Sequence, residues 1–131
     1  MDSSVIVNKH ESQIAEILLR ADGILVYHPR PNLMIDLDAA RLILEYGRIL
    51  VDHPVPVLVH MGPVRRVTRE ARAFFTSDDY TQLAAQSALL VSSPISRVIS
   101  NFFIGLNKPR YPLRIFTDET SAVAWLREFL G

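Results

Sequence analysis

The segment Val55-Pro56-Val57-Leu58-Val59-His60-Met61 is the clearest indication of fold class in this chain. Its three valines alternate on one face, and Leu58 lies on the other. A strand that is apolar and rich in β-branched residues on both faces is typical of the centre of a sheet that is covered on both sides. The segment therefore predicts an α/β protein built around a buried central strand.

The residues before this segment predict an N-terminal β-meander. Val5-Ile6-Val7 predicts a first edge strand. Asp22-Gly23 is a dipeptide suited to tight hairpin turns, and it separates two apolar runs. These runs, Ile14–Arg20 and Ile24–Tyr27, are predicted to pair as an antiparallel hairpin.

Four helices are predicted along the chain from capping residues and helical periodicity. The first begins after Asp36 and ends between Gly47 and Asp52, with Ala39, Leu42, Ile43, Tyr46 and Leu50 on its inward face. The second runs from its cap, Thr68, to Phe75. The third begins at Ser93-Pro94, with Ile95, Val98, Ile99, Phe102, Phe103 and Leu106 inward. The fourth begins at Asp118, with Ala122, Val123, Trp125, Leu126, Phe129 and Leu130 inward.

The remaining segments complete the predicted order of elements. Gly62–Val67 is predicted as a loop and Leu83–Gln86 as one further helical turn, and Ala88–Val91 and Leu113–Phe116 are predicted as strands. The order predicts a single α/β domain over residues 1–131. Its mixed β-sheet would start with the meander and continue with alternating strands and about four helices.

The composition argues against several classes of protein. The 131 residues include 14 Lys and Arg against 14 Asp and Glu, and this balance argues against a nucleic-acid partner. Because the chain has no cysteine, it has no disulfide, thiolate nucleophile or cysteine zinc site. Its first residues lack the pattern of a signal peptide, and no apolar run is long enough to cross a membrane. These features predict a cytoplasmic protein without stable membrane insertion.

The C-terminal third resembles a known family. The segments that carry the resemblance are Ser92-Ser93-Pro94-Ile95-Ser96-Arg97-Val98-Ile99-Ser100-Asn101-Phe102-Phe103, Gly105-Leu106-Asn107-Lys108-Pro109, Tyr111-Pro112, Phe116-Thr117-Asp118-Glu119 and Ala124-Trp125-Leu126. Together with the element order, they resemble the STAS domain of sulphate transporters and bacterial anti-sigma-factor antagonists. The resemblance is sharpest to an uncharacterised bacterial STAS/SEC14-like subgroup. It implies a STAS-like fold and a regulatory, protein-binding role in bacteria.

The chain departs from well-studied STAS regulators after the central strand. In those proteins the strand ends in Asp, and an Asp-x-Ser-x-Gly-like loop presents a phosphorylatable Ser. Here His60 stands at the position of that Asp, and Thr68 is the only residue able to replace the serine.

Two interpretations of Thr68 and the neighbouring arginines stay open. Thr68 either caps the second helix or accepts a phosphate, which the helix N-terminus and Arg65, Arg66 and Arg69 would stabilise. The same arginines either form a solvated basic loop or bind an anionic ligand or an acidic protein partner.

His28 and His60 both end predicted strands, and we expect them near one rim of the sheet as candidate ligand-rim residues. Surface or hydrogen-bonded histidines are the alternative. The chain has no His-x-x-x-His or His-Glu-x-x-His spacing, so no metal site is predicted. It also lacks a Gly-x-Ser-x-Gly elbow and a glycine-rich phosphate loop, so no cofactor and no catalytic residue is assigned.

These patterns predict a non-catalytic regulatory or protein-interaction module with an unknown protein partner. The alternative is a carrier that holds a small apolar or lipid-like ligand between sheet and helices. An enzyme that uses His60 or His28 as an acid–base group is the third hypothesis. Ile104 lies off the apolar stripe of the third helix, which indicates a homodimer, a lipid-sized pocket or one stray exposed residue.

Overall fold

The computed structural model describes residues 4–93 and 108–130, which form eight strands and three α-helices. The strands are β1 (Ile6–Glu11), β2 (Ala15–Arg20), β3 (Leu25–Pro29), β4 (Leu33–Ile35), β5 (Val55–His60), β6 (Val64–Val67), β7 (Ala84–Leu90) and β8 (Leu113–Phe116). The α-helices are α1 (Leu37–Leu50), α2 (Arg69–Phe75) and α3 (Glu119–Arg127). Short 3-10 turns follow α2 at Asp78–Gln82 and α3 at Glu128–Leu130.

Six strands form one mixed sheet in the order β1-β2-β3-β5-β7-β8. β1, β2 and β3 pair antiparallel, whereas β3, β5, β7 and β8 pair parallel. The predicted N-terminal meander and the central position of the Val55–His60 strand are confirmed. The α/β class with a mixed sheet is confirmed as well.

The hairpin turn between β2 and β3 forms at the predicted dipeptide. Gly23 has a φ of 89°, in the left-handed region that favours glycine. The Asp22 carboxylate accepts a hydrogen bond of 3.3 Å from the backbone N–H of Ile24 and forms an ion pair of 2.7 Å with Arg20. The resulting register places Tyr27 opposite Ile17.

Two local predictions are wrong. Gly62–Val67 is not entirely loop, because its last four residues form β6 and pair in parallel with β4 in a small separate sheet. The sequence pattern does not reveal this distant partner. Leu83–Gln86 is not a helical turn, because β7 already begins at Ala84 and pairs along its length with the central strand β5.

Side-chain caps begin all three described helices. The Asp36 side chain accepts a hydrogen bond of 2.9 Å from the N–H of Ala39. Thr68 accepts one of 3.2 Å from the N–H of Ala71, and Asp118 accepts one of 2.8 Å from the N–H of Ser121. The predicted helix starts at Asp36, Thr68 and Asp118 are therefore confirmed.

Each face of the six-stranded sheet carries its own apolar core. α1 and α2 cover the face that includes Ile17, Tyr27 and Val57. On the other face, Ala122 and Leu126 of α3 pack in one cluster with Val26 and Leu58. Because side chains alternate along β3 and β5, successive residues of these strands face opposite cores.

Phe129 and Leu130 do not lie inward, contrary to the predicted helical pattern. Each is 43% exposed. The α-helix changes after Arg127 to a 3-10 turn, in which successive residues rotate by about 120° instead of about 100°, so the apolar stripe turns away from the core. Phe129 instead packs edge-on against Trp125, with ring centroids 5.2 Å apart.

From Pro94 to Leu106, the predicted third helix lies outside the described residues, as does the dimer face assigned to Ile104. The single domain over residues 1–131 stays a prediction. Within the described part of the chain, no helix has the length and apolar character needed to span a membrane.

Candidate functional site

A cavity of about 310 Å³ lies between the six-stranded sheet and a layer made of α1, α2 and the β4–β6 pair. Its lining is mostly apolar. Tyr27, Val59 and Leu89 line it from the sheet, and Ile43 and Phe75 line it from the helices. The cavity therefore lies between two layers of the fold and is partly open to solvent.

Small inward side chains of the sheet leave this space open. Ala15 of β2 and Ser87 of β7 both line the cavity, and they are 1% and 2% exposed. Larger residues at these positions would fill the gap, as they do elsewhere in protein interiors, which are close-packed.

Ser87 places a buried hydroxyl in the cavity wall. No aligned hydrogen-bond partner for its Oγ is present among the described residues. The Ser87 hydroxyl does interact with the neighbouring Tyr111 hydroxyl, whose pKa it lowers. It is therefore a polar group in the cavity wall that a ligand atom could contact.

Three tyrosines, Tyr27, Tyr80 and Tyr111, line the cavity as neutral groups. Burial raises the pKa of each above its ordinary value, and at Tyr111 the neighbouring Ser87 offsets part of that increase. The Tyr111 hydroxyl donates a hydrogen bond of 2.6 Å to the carbonyl of Phe75. The tyrosines are therefore protonated polar groups at physiological pH.

Arg72 is the only charged residue among the described residues that line this cavity. It is half-buried, and its Nη1 donates a hydrogen bond of 2.8 Å to the carbonyl of Val67. This contact ties α2 to the end of β6 and places one positive charge in an otherwise neutral wall.

A second cavity, of about 300 Å³ and largely open to solvent, shares lining residues with the first. Met61, Val67 and Leu89 line both cavities and form the boundary between them. Arg65 and Arg66 line the second cavity, and no acidic residue is among its described lining residues. An apolar space and a basic one therefore lie side by side, with these three lining residues in common.

The structure places the residues of the predicted basic loop on β6 and at the start of α2. Arg65, Arg66 and Arg69 are exposed. The Thr68 side-chain oxygen accepts the capping hydrogen bond from Ala71, which confirms the capping interpretation. Phosphorylation of Thr68 and partner contacts by the three arginines stay predictions.

His28 and His60 lie together where β3 and β5 end. Their rings are stacked, with centroids 4.2 Å apart and planes inclined by 20°. They lie on the face covered by α3, where His60 Nε2 is 3.2 Å from Glu119 Oε1. Neither histidine is among the described residues that line the two cavities. The expected proximity is therefore observed, while a ligand-rim role stays a prediction.

His60 is disposed to remain neutral. Burial lowers its pKa below the ordinary value, His28 lowers it further, and Glu119 offsets only part of the decrease. Within residues 4–93 and 108–130, no group of three His, Asp or Glu side chains is arranged to hold a metal ion.

The sequence pattern does not single out Ser87 or Tyr111 as cavity residues. Ser87 falls outside a strand predicted to begin at Ala88, yet the observed start at Ala84 makes it an inward hydroxyl in an apolar strand. A single serine at an inward position of an apolar strand is thus the sequence signal that could have identified Ser87 as a cavity residue. Tyr111 lies in the segment before β8, and the course of that segment in the fold places it in the cavity wall.

Comparison with known proteins identifies one matching family model, described as "Domain of unknown function (DUF7793)", over residues 17–130. No curated protein matches the chain. A crystal structure of an uncharacterized protein of the DUF3478 family with a SpoIIAA-like fold, from Shewanella loihica PV-4, is similar with a TM-score of 0.55. It is 12% identical, over 96% of this chain and 98% of that one. A protein of unknown function from Arthrobacter sp. FB24 is 35% identical, over 84% of this chain and 90% of that one, with a TM-score of 0.30.

The likeness to the Shewanella protein concerns the fold. A SpoIIAA-like fold is a STAS-like fold, so the predicted STAS-like architecture is confirmed. Membership in the STAS/SEC14-like subgroup stays a prediction.

Proposed function

This chain belongs to the DUF7793 family of domains of unknown function, and we propose that it is a non-catalytic binding protein that holds a small, mainly apolar ligand between sheet and helices. The observation that carries this proposal is the first cavity, of about 310 Å³. Ligand sites are typically concave, mostly apolar spaces of about 300–1,000 Å³ with a few polar groups. The apolar lining of this partly open cavity makes its solvation by water unfavourable, which supports an apolar occupant.

The chemistry of the lining supports binding rather than catalysis. The described lining residues include no carboxylate and no imidazole, and the tyrosines remain protonated. General acid–base catalysis needs a group whose pKa lies near the working pH. The Ser87 hydroxyl and the Arg72 guanidinium are suited instead to orienting a bound molecule.

A regulatory module with a protein partner is the second candidate. Arg65, Arg66 and Arg69 are exposed on adjoining elements, which favours an acidic partner surface. Ligand binding and partner binding would then involve the same two elements, β6 and α2, because Val67 of β6 and Arg72 of α2 line the first cavity. We place this module in the bacterial cytoplasm, as a monomer or a homodimer.

Native mass spectrometry of the purified chain tests the proposed function. The wild-type protein is expected to carry a co-purified small molecule, released on denaturation. The variant Val59→Phe, which puts a ring into the cavity, is expected to lose it. Val7→Phe makes the same change at an exposed position of β1 (56% exposed) and should keep the ligand.

Two results would contradict the proposal. One is a wild-type protein that carries no small molecule and binds no apolar probe, and the other is a Val59→Phe variant that retains the wild-type ligand. The same spectra report the mass of the native assembly and so distinguish a monomer from a homodimer.

A further inference from the structure

The two adjoining cavities differ in their chemistry. The first is mostly apolar, whereas the second is flanked by Arg65 and Arg66. Three residues, Met61, Val67 and Leu89, separate them, and all three have flexible or branched apolar side chains rather than charges. A ligand that crosses this boundary would therefore need an apolar part on one side and a polar part on the other.

We infer that the ligand is a single-chain amphiphile with an anionic head group. Its apolar chain occupies the first cavity, and its carboxylate or phosphate lies beside Arg65 and Arg66 in the second. This inference rests on the proposed function and names the ligand class for it.

The size of the first cavity limits the apolar chain. A cavity of about 150 Å³ holds benzene, so a space about twice as large suits about twelve non-hydrogen atoms. A linear chain of about ten carbons meets this limit. A two-chain lipid is too large for the same space.

The charge of the second cavity selects the head group. Arg65 and Arg66 are exposed, and within residues 4–93 and 108–130 neither forms an ion pair with a carboxylate. Guanidinium groups bind carboxylates and phosphates through short, charge-assisted hydrogen bonds. Two such groups beside a cavity without acidic lining residues therefore complement an anion.

Isothermal titration calorimetry with three probes of equal chain length tests this inference. The probes are decanoate and decyl phosphate below their critical micelle concentrations, and decanol below its solubility limit. We expect the wild-type protein to bind at least one of the two anions about tenfold more tightly than decanol. The anion that is preferred distinguishes a carboxylate head group from a phosphate.

The double variant Arg65→Gln, Arg66→Gln is expected to lose this preference and to bind decanol as the wild-type protein does. Arg65→Lys, Arg66→Lys keeps the charge and should retain part of the preference. Arg127→Gln removes an exposed arginine from α3, on the opposite face of the sheet, and should leave all three affinities unchanged.

The possible failures are distinguishable. Equal binding of decanol and both anions by the wild-type protein, or an anion preference that survives in the Gln double variant, would overturn the anionic head group and leave the proposed function intact. Failure of all three probes to bind would overturn the inference together with the proposed apolar site.

Discussion

At Gly47, α1 approaches the sheet so closely that no side chain fits between them. A Cβ atom there would overlap the Tyr27 hydroxyl and lie 2.7 Å from a methyl group of Leu83. The close approach lets Tyr27 donate a hydrogen bond of 2.8 Å to the carbonyl of Ile43. From sequence alone Gly47 indicates only a weakened last turn, whereas in the fold it sets the distance between helix and sheet at one end of the cavity.

Gly47→Ala is expected to lower the free energy of unfolding by up to about 2 kcal/mol, measured by urea denaturation. Alanine favours helix by about 1 kcal/mol, but overpacking against Tyr27 and Leu83 costs more. Gly62→Ala is the matched control, because no atom lies within 4 Å of a Cβ built there. A Gly47→Ala protein as stable as the wild type would show that helix and sheet can move apart at little cost.

At the scale of elements, the stability of helix α2 depends on its N-terminal cap and on its contacts with neighbouring elements. It has only seven residues, and helices this short are marginal without capping and packing. Thr68 caps its first turn, and Arg72 anchors it to the carbonyl of Val67. Helix α2, which lines the first cavity, is therefore held in place by a small number of polar contacts.

Thr68→Ala is expected to lower the free energy of unfolding by about 1 kcal/mol, because the Ala71 N–H loses its acceptor. Thr68→Ser and Thr68→Asp keep a capping oxygen and should remain close to the wild type in the same denaturation experiment. If the alanine and serine variants were equally stable, the cap would have no measurable role.

Contacts between elements that are far apart in the chain appear only in the whole molecule. His28, His60 and Glu119 come from β3, β5 and α3, and they meet where the two strands end. Burial and His28 lower the pKa of His60 in the folded protein below the ordinary value of 6.5. The unfolded chain therefore binds this proton more readily than the folded one, so stability contributed by His60 is lost as the pH falls below about 6.5.

His60→Gln is expected to reduce the acid sensitivity of the fold. The thermal midpoint of the wild type should fall between neutral and mildly acidic pH, and that of the variant should fall less. His53→Gln, which changes a histidine whose side chain is 70% exposed, is the control and should keep the wild-type profile. If the thermal midpoint of His60→Gln changed with pH as that of the wild type does, the acid sensitivity could not be assigned to His60.

Much of the fold is predictable from local patterns. The Asp22-Gly23 turn, the caps Asp36, Thr68 and Asp118, and the buried β5 strand depend on residues close to one another in sequence. Alternation and capping are short-range effects, so they can be recognised in the sequence without the tertiary structure. The expected meeting of His28 and His60 also follows from two adjacent parallel strands that end together.

The pairing of β4 with β6 and the cavity itself are not predictable in this way. The pair joins segments separated by a helix and a strand, and the cavity depends on how far α1 and α2 lie from small residues such as Ala15 and Ser87. Local sequence therefore determined the three described helices and most strands of the six-stranded sheet, but not β4, β6 or the start of β7. The distances between layers decided where space remained for a ligand, because those distances arise from close packing among residues from many parts of the chain.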